Sequence, residues 1–248
     1  MNPKISMITV CFNSEKTIDK TIQHVLNQTY KNIEYVIVDG LSIDRTMEII
    51  KSYEKAFGGR LKYISEKDYG IYDAMNKGIK MCTGDIIGIT NSDDWLELDA
   101  LENVAAAYDS NAKGQVIYGM VANMVKGQPS IYLMPTDYGM ELGGNPMHHP
   151  GCFISKSAYD AVGLYDTEFC IAADFDLLMR CKKTEGIVFT PVHSLLANFS
   201  CDEGVSSKNM LQTNMEHLKV RHKFNMVDDK SYNKMMFKMK LKKRLGQK

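Results

Sequence analysis

The chain lacks any cysteine pairing pattern. Its six cysteines, Cys11, Cys82, Cys152, Cys170, Cys181 and Cys201, form no C-x-x-C pair and no Cys/His cluster of zinc spacing. Zinc-site and disulfide-framework readings are thereby excluded. Most of the six lie inside apolar runs, so buried free thiols in a reducing compartment are expected. Long hydrophobic runs are also missing. Ile5–Phe12 is too short to cross a bilayer and has no small-residue cleavage site, so neither a membrane span nor a signal peptide is expected, and a cytosolic location follows. No glycine occurs in the turn after that run, CFNSEK, and no G-x-x-x-x-G-K-[ST] occurs anywhere. Both common ways of cradling phosphates on backbone amides are therefore absent. No internal repeat is evident.

What is present is an ordinary globular composition with an uneven charge. Hydrophobic residues make up 44% and charged residues 24% of the 248 positions, enough for one large α/β domain with or without an extension. The net charge is zero, yet Lys230–Lys248 holds eight basic residues and no acid. Residues 1–229 consequently carry 22 basic and 30 acidic residues, a net of −8. An acidic body with a basic tail speaks to surfaces and partners rather than to fold.

Hydrophobic periodicity predicts the elements. Ile5–Phe12 reads as a buried strand, and Asn13-Ser14 as the cap of a helix whose apolar face is Ile18, Ile22, Val25 and Leu26. Glu34–Val38 is a second strand, ending in Asp39-Gly40. A helix capped by Asp44 follows, then a third strand at Leu61–Ser65. Ile71–Cys82 is an amphipathic helix, Asp85–Thr90 a fourth strand, and Leu98–Tyr108 a helix with Asp99 at its cap. This alternation predicts a mostly parallel sheet with right-handed crossovers. Beyond Asn111 the pattern is less regular. Strands are expected at Gln115–Met124 and Ser130–Met134, joined by a Lys-Gly-Gln-Pro turn, and at Gly186–Pro191. Helices are expected at Ser155–Val162, Phe175–Lys182, Met210–Phe224 and Ser231–Leu245, and a loop at Gly139–Gly151.

The most informative stretch is Gly70–Leu96, GIYDAMNKGIKMCTGDIIGITNSDDWL. Its fourth strand delivers two adjacent carboxylates, Asp93 and Asp94, at a carboxyl end, where open α/β sheets bind ligands. Two such acids repel unless a cation or a set of donors joins them. A helix cap needs only one carboxylate. A divalent metal carrying a diphosphate suits the pair, and Asp39, closing the second strand, would face the same crevice. An isolated acid at a strand end is more often a turn former than a ligand.

Four segments resemble the family 2 glycosyltransferases of GT-A fold. They are ITVCFNSEKTI, VIVDGLSIDRT, DYGIYDAMNKGIKMCTGDIIGITNSDDWL, and HHPGCFISK with AADFDLLMR, and the likeness covers about residues 3–210. The third is similar to the branch that builds bacterial O-antigen, capsule and exopolysaccharide. The resemblance implies a Rossmann-like, mostly parallel sheet over residues 1–215, with a nucleotide-binding half to about 110 and an acceptor-side half beyond it. Residues 216–248 would be a basic helical extension. It implies that Thr9 and Asp39 contact the base and ribose, that Asp93 faces the ribose, and that Asp94 holds Mg²⁺ or Mn²⁺ on the donor diphosphate. Asp68 and Lys77 fall on the donor side, and His148 and His149 on the acceptor side. Asp174 matches the acid that deprotonates the acceptor hydroxyl in inverting members. Three positions depart from the family pattern: Asp39-Gly40 and Ala173-Asp174 each replace a pair of acids, and Glu203-Gly204-Val205-Ser206 replaces a Gly-Gly-x-Ser segment.

Other readings of the residues stand beside these. Trp95, the only tryptophan, stacks on an acceptor sugar or packs at a helix start. Asp176 and Arg180, at i and i+4, suit a simple pair. The tail over 230–248 reads either as a helix for an anionic membrane surface or as a frayed, solvated end, with lipid-linked glycan as the acceptor in the former case. Nucleic-acid binding lacks a motif. The expected activity is inverting transfer from a UDP-type sugar to a glycan or lipid-linked glycan at the inner membrane face. Its rivals are nucleotidyl transfer, which CFNSEK does not support, and mere binding of a nucleotide-sugar, which would not need Asp174.

Overall fold

The computed structural model describes residues 2–133, 149–201 and 209–245. Its first half follows the predicted alternation. Strand β1 (Ile5–Cys11) is followed by α1 (Ile18–Leu26), β2 (Ile33–Asp39), α2 (Thr46–Ser52), α3 (Glu54–Phe57), β3 (Leu61–Ser65), α4 (Ile71–Met81) and β4 (Ile86–Asn91). These strands lie in the order β3-β2-β1-β4, all parallel. Both faces are covered, so the strands need apolar residues on both sides. Ile8 and Val10 of β1 enter one core cluster, and Ile5, Met7 and Cys11 enter the other. Gly78 lets α4 lie close on the sheet: a Cβ there would stand 2.6 Å from the Ile8 side chain.

The second half departs from expectation. After β5 (Trp95–Leu96) and α5 (Ala100–Ala107) come β6 (Gly114–Val125), β7 (Gln128–Leu133), a short 3₁₀ turn (His149–Gly151), β8 (Cys152–Ser155) and α6 (Lys156–Val162). Then follow α7 (Ala173–Lys183), β9 (Ile187–Ser200), α8 (Met210–Lys223) and α9 (Asp229–Arg244). The sheet continues from β4 through β8, β6 and β9 to β5, with β7 on β6. Strand β9 runs to Ser200 rather than ending at Pro191. It pairs parallel with β6 across a bulge between Gly119 and Val121, which interrupts the alternation a sequence reading needs. Strands β5 and β8 are too short to show a period. The β6-β7 turn is Lys126-Gly127, both at positive φ, so Pro129 falls within the strand and outside the turn.

Two expected caps differ too. Asp99 precedes α5 but makes no side-chain cap hydrogen bond. Asn13-Ser14 does not cap α1 through side chains; the Ser14 carbonyl accepts from the Thr17 and Ile18 N–H groups instead. The boundary expected between 215 and 216 falls inside α8, whose Val220 belongs to the main core. Four cysteines are buried, Cys201 is half-buried and Cys170 exposed, and none of the six is in a disulfide.

Candidate active site

A cavity of about 760 Å³ opens at the carboxyl ends of β1, β2 and β4. Its floor comes from the loops after these strands, which are laced together. Asn13, in the left-handed region at φ 50, accepts the Ile43 N–H on its Oδ1 at 3.0 Å. The Ser42 hydroxyl accepts the Asn13 N–H at 2.7 Å, and the Ser14 and Ser92 hydroxyls bond at 2.8 Å.

Asp39 is the knot of this lacing. Its carboxylate is fully buried and accepts from the Ser42 N–H and hydroxyl and from the Ser65 hydroxyl, the last at 2.6 Å. It stands behind the wall that Gly40 forms. Thr9 is also behind the wall. Its buried hydroxyl accepts from Tyr35 Oη at 2.8 Å in the core, while Val10, Cys11 and Phe12 line the cavity. Thr9 lies deeper in β1 than the residues at its carboxyl end that reach the wall. Asp68 does line the cavity, held by the Gly70 N–H at 3.0 Å. Lys77 does not. It pairs with Glu66 at 3.0 Å and Asp73 at 3.4 Å and donates to the Lys67 carbonyl, so it braces the segment that carries Asp68.

Of the adjacent acids, both expected to face the donor, only one reaches the wall. Asp93 lines the cavity. Asp94 is fully buried and tied inward: Oδ1 accepts from the Ser200 N–H at 2.8 Å and Oδ2 from Asn91 Nδ2 at 3.0 Å. Burial, together with the charge on Asp93, pushes its carboxyl up to about 8 despite those donors. A buried carboxyl with both oxygens already engaged is an anchor, which leaves Asp93 as the member of the pair on the cavity wall.

The residues present fit a divalent metal. Asn91 also lines the cavity, and its buried Oδ1 has no hydrogen-bond partner. One carboxylate, one amide oxygen and the oxygens of a diphosphate and water suit Mg²⁺ or Mn²⁺. No group of three His, Cys, Asp or Glu able to hold a metal occurs among the described residues, so most of the ligands would come from the donor and solvent.

Asp174 also lines the cavity, from the first turn of α7. Its Oδ1 accepts the Phe175 N–H at 2.8 Å, and Tyr72 Oη lies at 3.4 Å. The loop before α7 is held by Glu216 of α8, whose buried Oε2 accepts three consecutive N–H groups, Cys170, Ile171 and Ala172, at 3.0, 2.7 and 3.1 Å. His217 of α8 also lines the cavity. Burial lowers its pKa, and the charge on Asp174 opposes that shift. Neither Glu216 nor His217 carried a signal in the sequence, because only the packing of α8 brings them to the site.

The acceptor-side residues separate. His149 lines the cavity. His148 and the segment Glu203-Gly204-Val205-Ser206 lie outside the described residues. Trp95 is not part of the wall; its ring lies under Lys20 Nζ, 2.9 Å from the centroid, beside α1. Asp176 does pair with Arg180, at 2.9 Å, and also with Lys223, at 2.7 Å.

The class is set by the fold, which is the GT-A fold. The structure aligns with Staphylococcus aureus TarS 1-349 in complex with UDP-GlcNAc, with a TM-score of 0.68 at 19% identity over 88% of this chain and 66% of that one. It aligns equally with the mannosyltransferase PcManGT from Pyrobaculum calidifontis in complex with GDP-Man and Mn²⁺, with a TM-score of 0.67 at 16% identity over 98% of this chain and 70% of that one. The chain spans 39% of the longer TarS chain. Residues 6–162 match the model of Glycosyl transferase family 2, and the chain belongs to that family. A Mycobacterium tuberculosis PGL/p-HBAD biosynthesis glycosyltransferase is 27% identical over 83% of this chain and 80% of its own length.

Proposed function

We propose that the protein is an inverting, metal-assisted glycosyltransferase that moves a sugar from a UDP-linked donor to a glycan or lipid-linked glycan in bacterial surface polysaccharide synthesis. The observation that carries this reading is the placement of Asp93 and Asp174, 81 residues apart in the chain, on the wall of one cavity. Asp93 suits the donor diphosphate and Asp174 the acceptor hydroxyl. In an in-line displacement Asp174 takes the hydroxyl proton as the oxygen attacks the anomeric carbon and the bond to the diphosphate breaks. Mg²⁺ or Mn²⁺ held by Asp93, with Asn91 Oδ1 beside it, would stabilise the charge that collects on the leaving diphosphate. Asp94 and Glu216 keep the two acids in place from behind. The reading is supported by the UDP-GlcNAc complex of TarS, by the GDP-Man and Mn²⁺ complex of PcManGT and by the PGL/p-HBAD biosynthesis named for the mycobacterial relative. A lipid-linked acceptor also implies work at the inner membrane face. Among the described residues no helix is long and apolar enough to cross a membrane.

Differential scanning fluorimetry with UDP, GDP and their sugars, each with and without Mn²⁺, tests the donor site. Stabilisation by UDP that grows with Mn²⁺ is expected. Stabilisation by GDP alone would replace the UDP assignment, and equal stabilisation with and without metal would remove the metal from the site.

A further inference from the structure

The outer face of α9 has no partner among the described residues, and its chemistry is specific. Helix α9 is no frayed end. Met236 is buried against Met215 and Leu218 of α8, with Tyr232 and Met239 beside it. Tyr232 stacks on His222 with centroids 4.0 Å apart, His222 Nε2 meets Asp229 at 2.7 Å, and Lys243 Nζ donates to Gln212 Oε1 at 3.2 Å. Asp228 caps the first turn by accepting the Ser231 N–H. The inward face is therefore fixed, and the outward face has a fixed direction too.

Two apolar stripes, not one, explain why the tail reads as imperfectly amphipathic. At 3.6 residues per turn, Arg244, Phe237, Lys230, Leu241, Lys234 and Leu245 fall within an arc of about 100° on the side opposite Met236 and Met239. Phe237, Leu241 and Leu245 are 69%, 47% and 64% exposed. The three cations between them are exposed and make no ion pair among the described residues. Positive charge interleaved with a projecting apolar ridge matches the boundary between anionic headgroups and acyl chains. A polyanion alone would attract the charge but leave Phe237 and Leu241 in water.

We infer that the outer face of α9 docks the protein on an anionic lipid bilayer, with Phe237, Leu241 and Leu245 entering the headgroup boundary and Lys230, Lys234 and Arg244 meeting lipid phosphates. The lipid lies one helix layer from the active site. One face of α8 holds α9, and another carries Thr213 and His217 to the cavity wall. The inference rests on the proposed lipid-linked acceptor only for its use, not for the binding itself.

Co-sedimentation of the full chain with phosphatidylcholine vesicles, with and without phosphatidylglycerol, tests the surface. Binding to the anionic vesicles alone is expected. Each cation near the surface changes partitioning about fivefold, so the triple variant Lys230→Gln, Lys234→Gln, Arg244→Gln should bind about 100-fold more weakly. The variant Phe237→Ser, Leu241→Ser, Leu245→Ser should also lose binding while its melting temperature and its stabilisation by UDP stay unchanged. A Phe237→Trp variant, read against the Trp95 background, should shift its emission to the blue on anionic vesicles, whatever the other variants do to folding. No binding by the wild type, or binding of the Phe237→Trp variant without that blue shift, overturns the inference. Vesicle binding without any response to UDP would fail the donor reading and leave this surface standing; the reverse result would do the opposite.

Discussion

The end of β4 and the start of α7 each carry a pair of acids, and both pairs split the same way. Asp93 and Asp174 face the cavity; Asp94 and Asp176 are fully buried behind them. The buried members differ in how they are compensated. Asp94 has two neutral donors, Ser200 N–H and Asn91 Nδ2, whereas Asp176 has two cations, Arg180 and Lys223. Each ties its segment to a later one: Asp94 ties the end of β4 to the end of β9, and Asp176 ties α7 to α8. Proximity of acids in a chain thus marks a site without saying which carboxylate meets the ligand. The second acid of each pair holds the first in place.

The largest effects should separate facing acids from anchors. Asp174→Asn should lower transfer by about 10²–10⁴-fold while UDP binding is retained, as measured by single-turnover transfer and calorimetry. Near-normal transfer would remove Asp174 as the base. Asp93→Asn should abolish the Mn²⁺-dependent part of UDP binding; an unchanged Mn²⁺ response would return the metal to Asp94.

Next come the anchors. Asp176→Ala leaves Arg180 and Lys223 facing a site without its anion and should cost about 3 kcal/mol in urea denaturation. A loss below the scatter of the method would mean that the cations reach water at no cost. Asp94→Asn should instead show itself in pH dependence. The unfolded carboxyl ionises near its ordinary value of 3.8, while burial holds the folded one protonated to about 8. Between those values the native state binds more protons, so this group's contribution to stability falls as pH rises and levels off above the window. Asp94→Asn removes that fall. With EDTA present, the stability difference between wild type and variant should therefore shift in favour of Asp94→Asn from pH 4 to pH 8. A constant difference would show that Asp94 is ionised in the fold. The smallest effect belongs to Trp95→Phe, which weakens the contact with Lys20 by about 0.5 kcal/mol and should leave transfer unchanged. A large loss of transfer would restore Trp95 to the acceptor side.

The parallel half of the sheet was legible because its signals are local. A buried strand, a helix with one apolar face and the next strand follow within a few turns of chain, and the resulting crossover has one hand. The loops at the carboxyl ends, and with them the chain positions of Asp39, Asp93 and Asp94 at strand ends, were placed by that logic, although Asp39 turns behind the wall. The orientation of single side chains was not legible. How deep in β1 the wall begins decides between Thr9 and Val10, and the turn after Asn91 decides between Asp93 and Asp94. Strands β5, β8 and the far end of β9 escaped because their partners are distant in the chain: Trp95 pairs with Asn198, and Ile87 with Ile154. Lys77 escaped differently. A lysine between Asp73 and Glu66 looks the same in sequence whether it holds a ligand or a loop.

Glu216 has a consequence for the order in which the protein is made. The first four strands close on one another with residues already synthesised, and domains generally fold from the N-terminus as they emerge. The loop that presents Asp174 has no such independence, because three of its N–H groups await a carboxylate that comes 44 residues after the last of them, Ala172. A nascent chain can therefore hold a folded nucleotide half before its acid is set. A chain released early at residue 215 would lack the carboxylate on which those three N–H groups converge.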